Sequence, residues 1–202
     1  MPFAPPQGIS HEVNASTPLQ RGTSPLEIWY SGVVNQTAYG TAAPTVGSLR
    51  AFPIVIGRSG TVDRVAFEVT TVGGAGAVAR AGIYNCNQTP PNYYPTSLLV
   101  DTGEFATDSG TTKVYTPSTA IYVSAGIYWV CMLQGVNAAT VRTASAASMM
   151  PFSGIPSTMG ANPTRGWQVA QAYGALPSTF PAGAVLNTSS SSSPLVHIRL
   201  SS

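Results

Sequence analysis

The side chains able to do acid–base or nucleophilic chemistry are few and scattered. There are two histidines, His11 and His197, two cysteines, Cys86 and Cys131, and seven acids: Glu12, Glu27, Asp63, Glu68, Asp101, Glu104 and Asp108. A Ser-His-Asp triad would have to use His197, which alternates with apolar residues in LVHIRL as a surface or interface residue of a strand does. Hydrolysis by paired carboxylates would draw on Asp101, Glu104 or Asp108, yet these lie in a turn-rich segment where acids cap turns. No HExxH, GxSxG, P-loop or EF-hand pattern occurs. The glycines of TVGGAGAVAR lack the GxGxxG spacing and no amphipathic helix follows, so they predict a flexible hairpin turn rather than a phosphate cradle. Neither cysteine sits in a CxxC or a Cys/His cluster with zinc spacing; two buried free thiols are the preferred reading, with a disulfide as the alternative. No residue is assigned a catalytic, cofactor-binding or metal-binding role, and the chain reads as a non-enzyme.

Aromatic residues in loop-like sequence are better placed for binding. Tyr93 and Tyr94 follow Pro90 and Pro91, while Trp167 and Tyr173 stand near Arg165 and Gln171. Flat rings stack on sugar faces, and amide or guanidinium groups bind hydroxyls, so these six residues could form a glycan site. The same residue types are enriched in subunit interfaces, and for each of them the interface is preferred over the glycan contact.

The elements that would position them are strands. From Ile28 onward, short apolar runs are separated by Gly, Pro, Asn and Ser turns, with no helical apolar stripe of ten residues or more. In TVDRVAFEVT, Val65, Phe67 and Val69 alternate with Arg64, Glu68 and Thr70, as in a half-buried strand. GIYWVCML, residues 126–133, is apolar on both faces and should lie centrally or beneath a neighbouring subunit. Further strands are expected near 50–56, 77–85, 97–101, 112–116, 139–143 and 195–200, the last placing the final residues inside a sheet. Residues 144–194 are too irregular for a strand ladder and read as a long functional or contact-ordered loop, with the Ser189–Ser193 run as a flexible connection. The expected fold is an all-β, jelly-roll-like antiparallel β-sandwich over 28–202. Residues 1–27 carry Pro2, Pro5, Pro6, Pro18 and Pro25 with almost no apolar periodicity, and predict an extended N-terminal arm.

Composition narrows the partners. Hydrophobic residues make up 44% of the chain and charged residues only 8%, so the surface must stay soluble through hydroxyls and amides or be covered by other proteins. The net charge of +2 comes from cations scattered singly, which excludes a phosphate-tracking surface and hence nucleic acid. No stretch reaches the roughly 18 apolar residues of a membrane span. MPFAPPQGIS has neither a basic nor a continuous apolar region of the secretory kind, so the expectation is cytoplasmic synthesis without export by that route. The Asn-x-Ser/Thr triplets at Asn14, Asn35, Asn87 and Asn187 then mean little.

The stretch ARAGIYNCNQTPPNYYPTSLLVDTGEF, followed by AGIYWVCML, resembles a module recurrent in tail-fibre and related adhesion proteins of tailed bacteriophages. The matching positions are Arg80, Gly82, Ile83, Tyr84, Tyr94, Pro95, Leu98, Leu99, Asp101, Gly103, Ala125, Gly126, Tyr128 and Trp129. RAFPIVI, TVRTASAASMMPF and QAYGALPSTFPAGA are also similar to segments of such proteins, so the resemblance covers roughly 28–200. It implies a virion structural protein of the tail-fibre or receptor-binding type: a homotrimer, attached to other phage proteins through its arm, where Pro2, Phe3, Pro5 and Pro6 would make contact, and facing a host-surface glycan. The alternative is a head decoration or cement protein whose arm threads between capsid subunits; a carbohydrate-active enzyme domain is disfavoured. Read without the family, Gly82 and Gly126 relieve crowding beside bulky neighbours, and Tyr84 and Trp129 are expected to fill the space between two sheets with their polar atoms bonded at the rim.

Overall fold

The computed structural model describes residues 29–31, 39–87, 93–144, 166–187 and 193–201. Strands are numbered in chain order. Sheet 1 runs β1 (Trp29–Tyr30), β14 (His197–Ser201), β4 (Gly60–Thr71), β11 (Thr140–Ala144) and β2 (Tyr39–Ala42), with β8 (Thr111–Tyr115) and β9 (Ile121–Val123) also paired to β4. Sheet 2 runs β13 (Val185–Leu186), β12 (Trp167–Ala170), β3 (Ser48–Ile56), β10 (Gly126–Gln134), β5 (Val78–Cys86) and β6 (Pro95–Asp101), with β7 (Phe105–Ala106) also on β5. Every pairing is antiparallel, the two sheets pack face to face, and the described chain is an all-β sandwich without helices. No helix among the described residues is long and apolar enough to cross a membrane. The arm, with its contact residues Pro2, Phe3, Pro5 and Pro6, lies outside the described residues, as does Arg165.

Period-two alternation builds the space between the sheets. Val65, Phe67 and Val69 of β4 face Phe52, Ile54 and Ile56 of β3 and Val130 and Met132 of β10 across a common core, while Arg64, Glu68 and Thr70 point outward as the sequence predicts. From β14, Ile198 and Leu200 join this core and leave His197 and Arg199 outside. The last strand is indeed internal, flanked by β1 and β4. A β-bulge at Asp63, where Arg199 pairs with Arg64 but Leu200 with Val62, puts the Asp63 carboxylate beside the Arg199 guanidinium at 2.8 Å.

Strand β10 is central, as its two-sided apolarity requires, but its second face meets a different core. Trp129, Cys131 and Leu133, with Leu49 and Ala51 of β3 and Tyr84 of β5, are fully buried on the outer face of sheet 2 beneath Leu176 and Phe180. The cover is residues 171–184, here called the strap. It leaves β12 at one edge of sheet 2, crosses the face, and reaches the far edge. There Leu98 donates its N–H to the Ser178 carbonyl and Phe180 donates to Thr96, before the chain returns to β13. Sheet 2 is therefore the middle of three layers.

Three expectations are corrected by this arrangement. Tyr84 and Trp129 lie under the strap and not between the sheets, because alternation along β5 and β10 gives the inter-sheet positions to Ile83, Tyr128 and Val130. The 144–194 stretch does carry ladder pairing: β12 adds to the edge of β3 with Trp167 opposite Ala51, Gln168 opposite Arg50 and Val169 opposite Leu49. The turn after β4 is no hairpin, since β4 and β5 belong to different sheets. It is a transfer turn in which Gly76 has φ 76°, Asn137 donates its side-chain amide to the Ala75 carbonyl at 2.7 Å, and a side chain at Gly73 would strike the backbone at Asn137.

Candidate functional site

Arg80, Gly82, Tyr84, Asp101 and Trp129 come together in one device, the seat of the strap. Arg80, Gly82 and Tyr84 alternate along β5 and so project from the same face of sheet 2. Arg80 forms an ion pair with Asp101 of β6 at 2.9 Å, with both side chains about one-fifth exposed. Asp101 accepts three hydrogen bonds in all: from Arg80, from the Gly103 N–H at 2.9 Å, and from the Leu176 N–H of the strap at 3.0 Å. Gly82 supplies the space for Leu176, since a side chain there would meet Leu176, the Val100 carbonyl and the Cys131 sulfur. Tyr84 donates its hydroxyl to the Pro177 carbonyl at 2.8 Å and packs edge-on against Phe180 at 5.3 Å. Burial pushes the Tyr84 hydroxyl well above the usual tyrosine range, keeping it a donor at every physiological pH.

Of the aromatic residues singled out in the sequence, Tyr93, Tyr94 and Trp167 are brought together at one rim of this seat. Tyr94 stacks edge-on with Trp167, ring centroids 4.9 Å apart, and with Phe180 at 5.6 Å. Its hydroxyl donates to the Pro181 carbonyl at 2.6 Å and accepts the Ala184 N–H, pinning the returning half of the strap. Trp167 donates its indole N–H to the Tyr93 carbonyl at 3.0 Å. Tyr173 lies at the other end, its ring against Gly135 and its hydroxyl buried beside Glu104 and Arg80 without a bond of good geometry to either. Burial first, and then the Glu104 carboxylate, push that hydroxyl up to about 12. Gln171 extends the β12–β3 ladder by donating its main-chain N–H to the Gly47 carbonyl at 2.9 Å. Tyr93, Tyr94, Trp167 and Tyr173 remain half-buried, so they offer aromatic edges at two ends of the strap and not an open stacking platform.

The thiols are separate. Both are free, Cys131 buried and Cys86 partly exposed. Cys131 stands opposite Gly82, four residues along β5 from Cys86, which at strand rise is roughly 13 Å and too far for a disulfide. Burial raises both thiols, and at Cys86 the Trp129 indole partly offsets it. Among the described residues no group of three or more His, Cys, Asp and Glu could hold a metal ion. Asp101, one of the three acids considered from the sequence for hydrolysis, has both oxygens engaged, Oδ1 by Gly103 and Oδ2 by Arg80 and Leu176.

The outer face of sheet 1, uncovered among the described residues, is the part that loop-centred reasoning missed. Arg142 of β11 grips Glu68 of β4 through two bonds of 2.9 Å, and Arg199, clamped by Asp63, lies 5.6 Å over the Trp29 ring. Between these pairs is a concavity of about 270 Å³ lined by Trp29, Ala66, Thr112 and His197. The alternation of His197 with core residues was the signal that could have found it.

No family model matches the chain, and no curated protein matches it significantly.

Proposed function

We propose that this chain is a non-enzymatic virion-surface protein of a tailed bacteriophage, of the tail-fibre or receptor-binding type. It is anchored by residues 1–27 and presents the sandwich to the host surface. The observation that carries the reading is that the residues of the adhesion-module resemblance, Arg80, Gly82, Tyr84, Asp101 and Trp129, form a single connected seat for the strap. Much of the pattern thus serves one structural device, while Ile83 and Tyr128 of the same pattern face the core between the sheets; a pattern that builds a coherent part of a fold supports common ancestry of a module. The half-buried rim of Tyr93, Tyr94, Trp167 and Tyr173 offers aromatic edges to sister subunits of a homotrimer, with Gln171 beside it and Arg165 preceding it. The sheet 1 face is left for the host glycan. A head decoration protein is the second reading, favoured by the low charge of the chain, which suits burial among capsid subunits.

Gold-labelled antibody imaging of intact virions separates them. Label at the tail tip or fibres is expected; label spread over the head would retire the receptor-binding reading. Deleting residues 2–25 should release the protein from tails and reduce infectivity, whereas a cement protein so truncated would leave heads and weaken them.

A further inference from the structure

On the outer face of sheet 1, Ala66 is the smallest side chain in a cross-strand row that runs from His197 of β14 through Ala66 of β4 to Val114 of β8. It makes the floor of the 270 Å³ concavity, with Trp29, Thr112 and His197 as walls. The Trp29 wall is fixed in place, since Arg199 lies over its ring and Asp63 holds Arg199. At the opposite end stand Glu68, directly across from Thr112, and its bidentate partner Arg142. Arg199 and Glu68 beside the concavity are thus each balanced by an opposite charge, while Arg64 on the same face donates to the Asp63 main-chain carbonyl.

The hydrogen-bonding groups are less well satisfied. Among the described residues no side-chain hydrogen bond is made by the His197 ring or the Thr112 hydroxyl, and the Arg142 pair uses only Nε and Nη2 of its guanidinium. Burial keeps the His197 imidazole below its usual value, hence neutral and able both to donate and to accept. A small apolar pit with an indole wall, ringed by unpaired neutral donors and acceptors and two self-neutralised ion pairs, matches a ring with one C–H face and a hydroxylated edge.

We propose that this concavity binds one unit of a neutral saccharide, its C–H face on Trp29 and Ala66 and its hydroxyls toward His197, Thr112 and the Glu68–Arg142 pair. The assignment deepens the adhesion reading and rests on it for the source of the sugar. It makes sheet 1, not the aromatic rim of the strap, the receptor-facing side.

The test is saturation-transfer NMR on the full chain with the methyl glycosides of glucose, galactose, rhamnose and N-acetylglucosamine, and galacturonate as the charged comparison. Transfer to at least one neutral glycoside is expected. It should fall about tenfold in Ala66→Leu, which fills the pit, and severalfold in Thr112→Val, which removes one exposed hydroxyl without touching the core. The thermal midpoint of each variant serves as the folding control, and Thr112→Val alone decides the matter if Ala66→Leu does not fold. Absence of transfer to every neutral glycoside, transfer undiminished in the variants, or stronger transfer to galacturonate overturns the proposal. So does a change in oligomeric mass caused by Ala66→Leu, which would make the pit a protein contact. Tail label on virions without sugar transfer sinks this site and leaves the adhesin; sugar transfer with head label does the reverse.

Discussion

Replacing Asp101 by Ala should open the strap without unfolding the sandwich beneath it. The substitution removes three hydrogen bonds to a carboxylate, from Arg80, Gly103 and Leu176, at 2.9, 2.9 and 3.0 Å. Hydrogen bonds to charged groups are worth roughly 1.5–3 kcal/mol each when buried, but the Arg80–Asp101 pair is about one-fifth exposed and water can take over part of the loss. Only the Leu176 bond joins Asp101 to the strap, so closure should weaken by about 1.4 kcal/mol, or roughly tenfold in the opening equilibrium. Cys131 reports on it directly. The thiol is completely buried under the strap and burial raises it well above the ordinary thiol range, so it reacts only in molecules whose strap has lifted. In native buffer, the labelling rate of Cys131 by a maleimide, read by peptide mass spectrometry, should rise by roughly tenfold. Asp63→Ala, which cuts an ion pair on the far face of the molecule, should leave that rate unchanged. A labelling rate in Asp101→Ala within about twofold of wild type would refute the claim that this carboxylate holds the strap.

Other outcomes follow from the same structure. Gly82→Ala should destabilise by about 1–3 kcal/mol, although alanine is ordinarily the better strand residue, because the Val100 carbonyl it would meet is backbone and cannot move aside; chemical denaturation measures this. Glu68 is held below the usual glutamate range by its hydrogen bond to Arg142, so its contribution to stability is present above that range and is lost as pH falls through the lowered value. NMR titration should show the low value in wild type and its return toward normal in Arg142→Gln. Burial lowers His197, so the unfolded chain takes up the proton first and stability should decline as pH falls below about 6.5, a loss that His197→Gln removes from the pH profile of the denaturation midpoint. Oxidation of the native protein should produce no Cys86–Cys131 disulfide, and alkylation should modify Cys86 well before Cys131, as intact-mass analysis will record.

The sandwich was legible because its signal is local. Val65, Phe67 and Val69, or Ile198 and Leu200, declare an inner face within a few residues of chain, and the structure puts them there. The face chosen by Tyr84 and Trp129 was not legible. β10 is apolar on both sides, so alternation separates its two sets of side chains but cannot say which set meets sheet 1. The strap escaped for a related reason: its pairings are single bridges and short runs whose partners, Thr96, Leu98 and Gly47, lie far away in sequence. Tyr93, Tyr94 and Trp167 do meet in space while Tyr173 lies apart, yet sequence could not reveal that Tyr94 and Trp167 bond inward to Pro181 and Tyr93. The concavity over Ala66 draws its lining from four strands separated by many residues, and a small residue at a crowded crossing leaves no mark in a linear pattern.

The strap also sets an order of events during synthesis. Trp129, Cys131 and Leu133 leave the ribosome well before residues 171–184 that will cover them, and β4 waits still longer for β14, whose Arg199 pairs with Asp63 across 136 residues. Contacts of such separation form slowly. A nascent chain therefore carries a bare apolar stripe along its most central strand for as long as the roughly 50 residues from Leu133 to the end of the strap take to appear. Slower translation lengthens that exposure, and a chaperone that holds extended apolar segments would shorten its consequences. Soluble yield should accordingly depend on synthesis rate and chaperone supply more than on the stability of the finished fold.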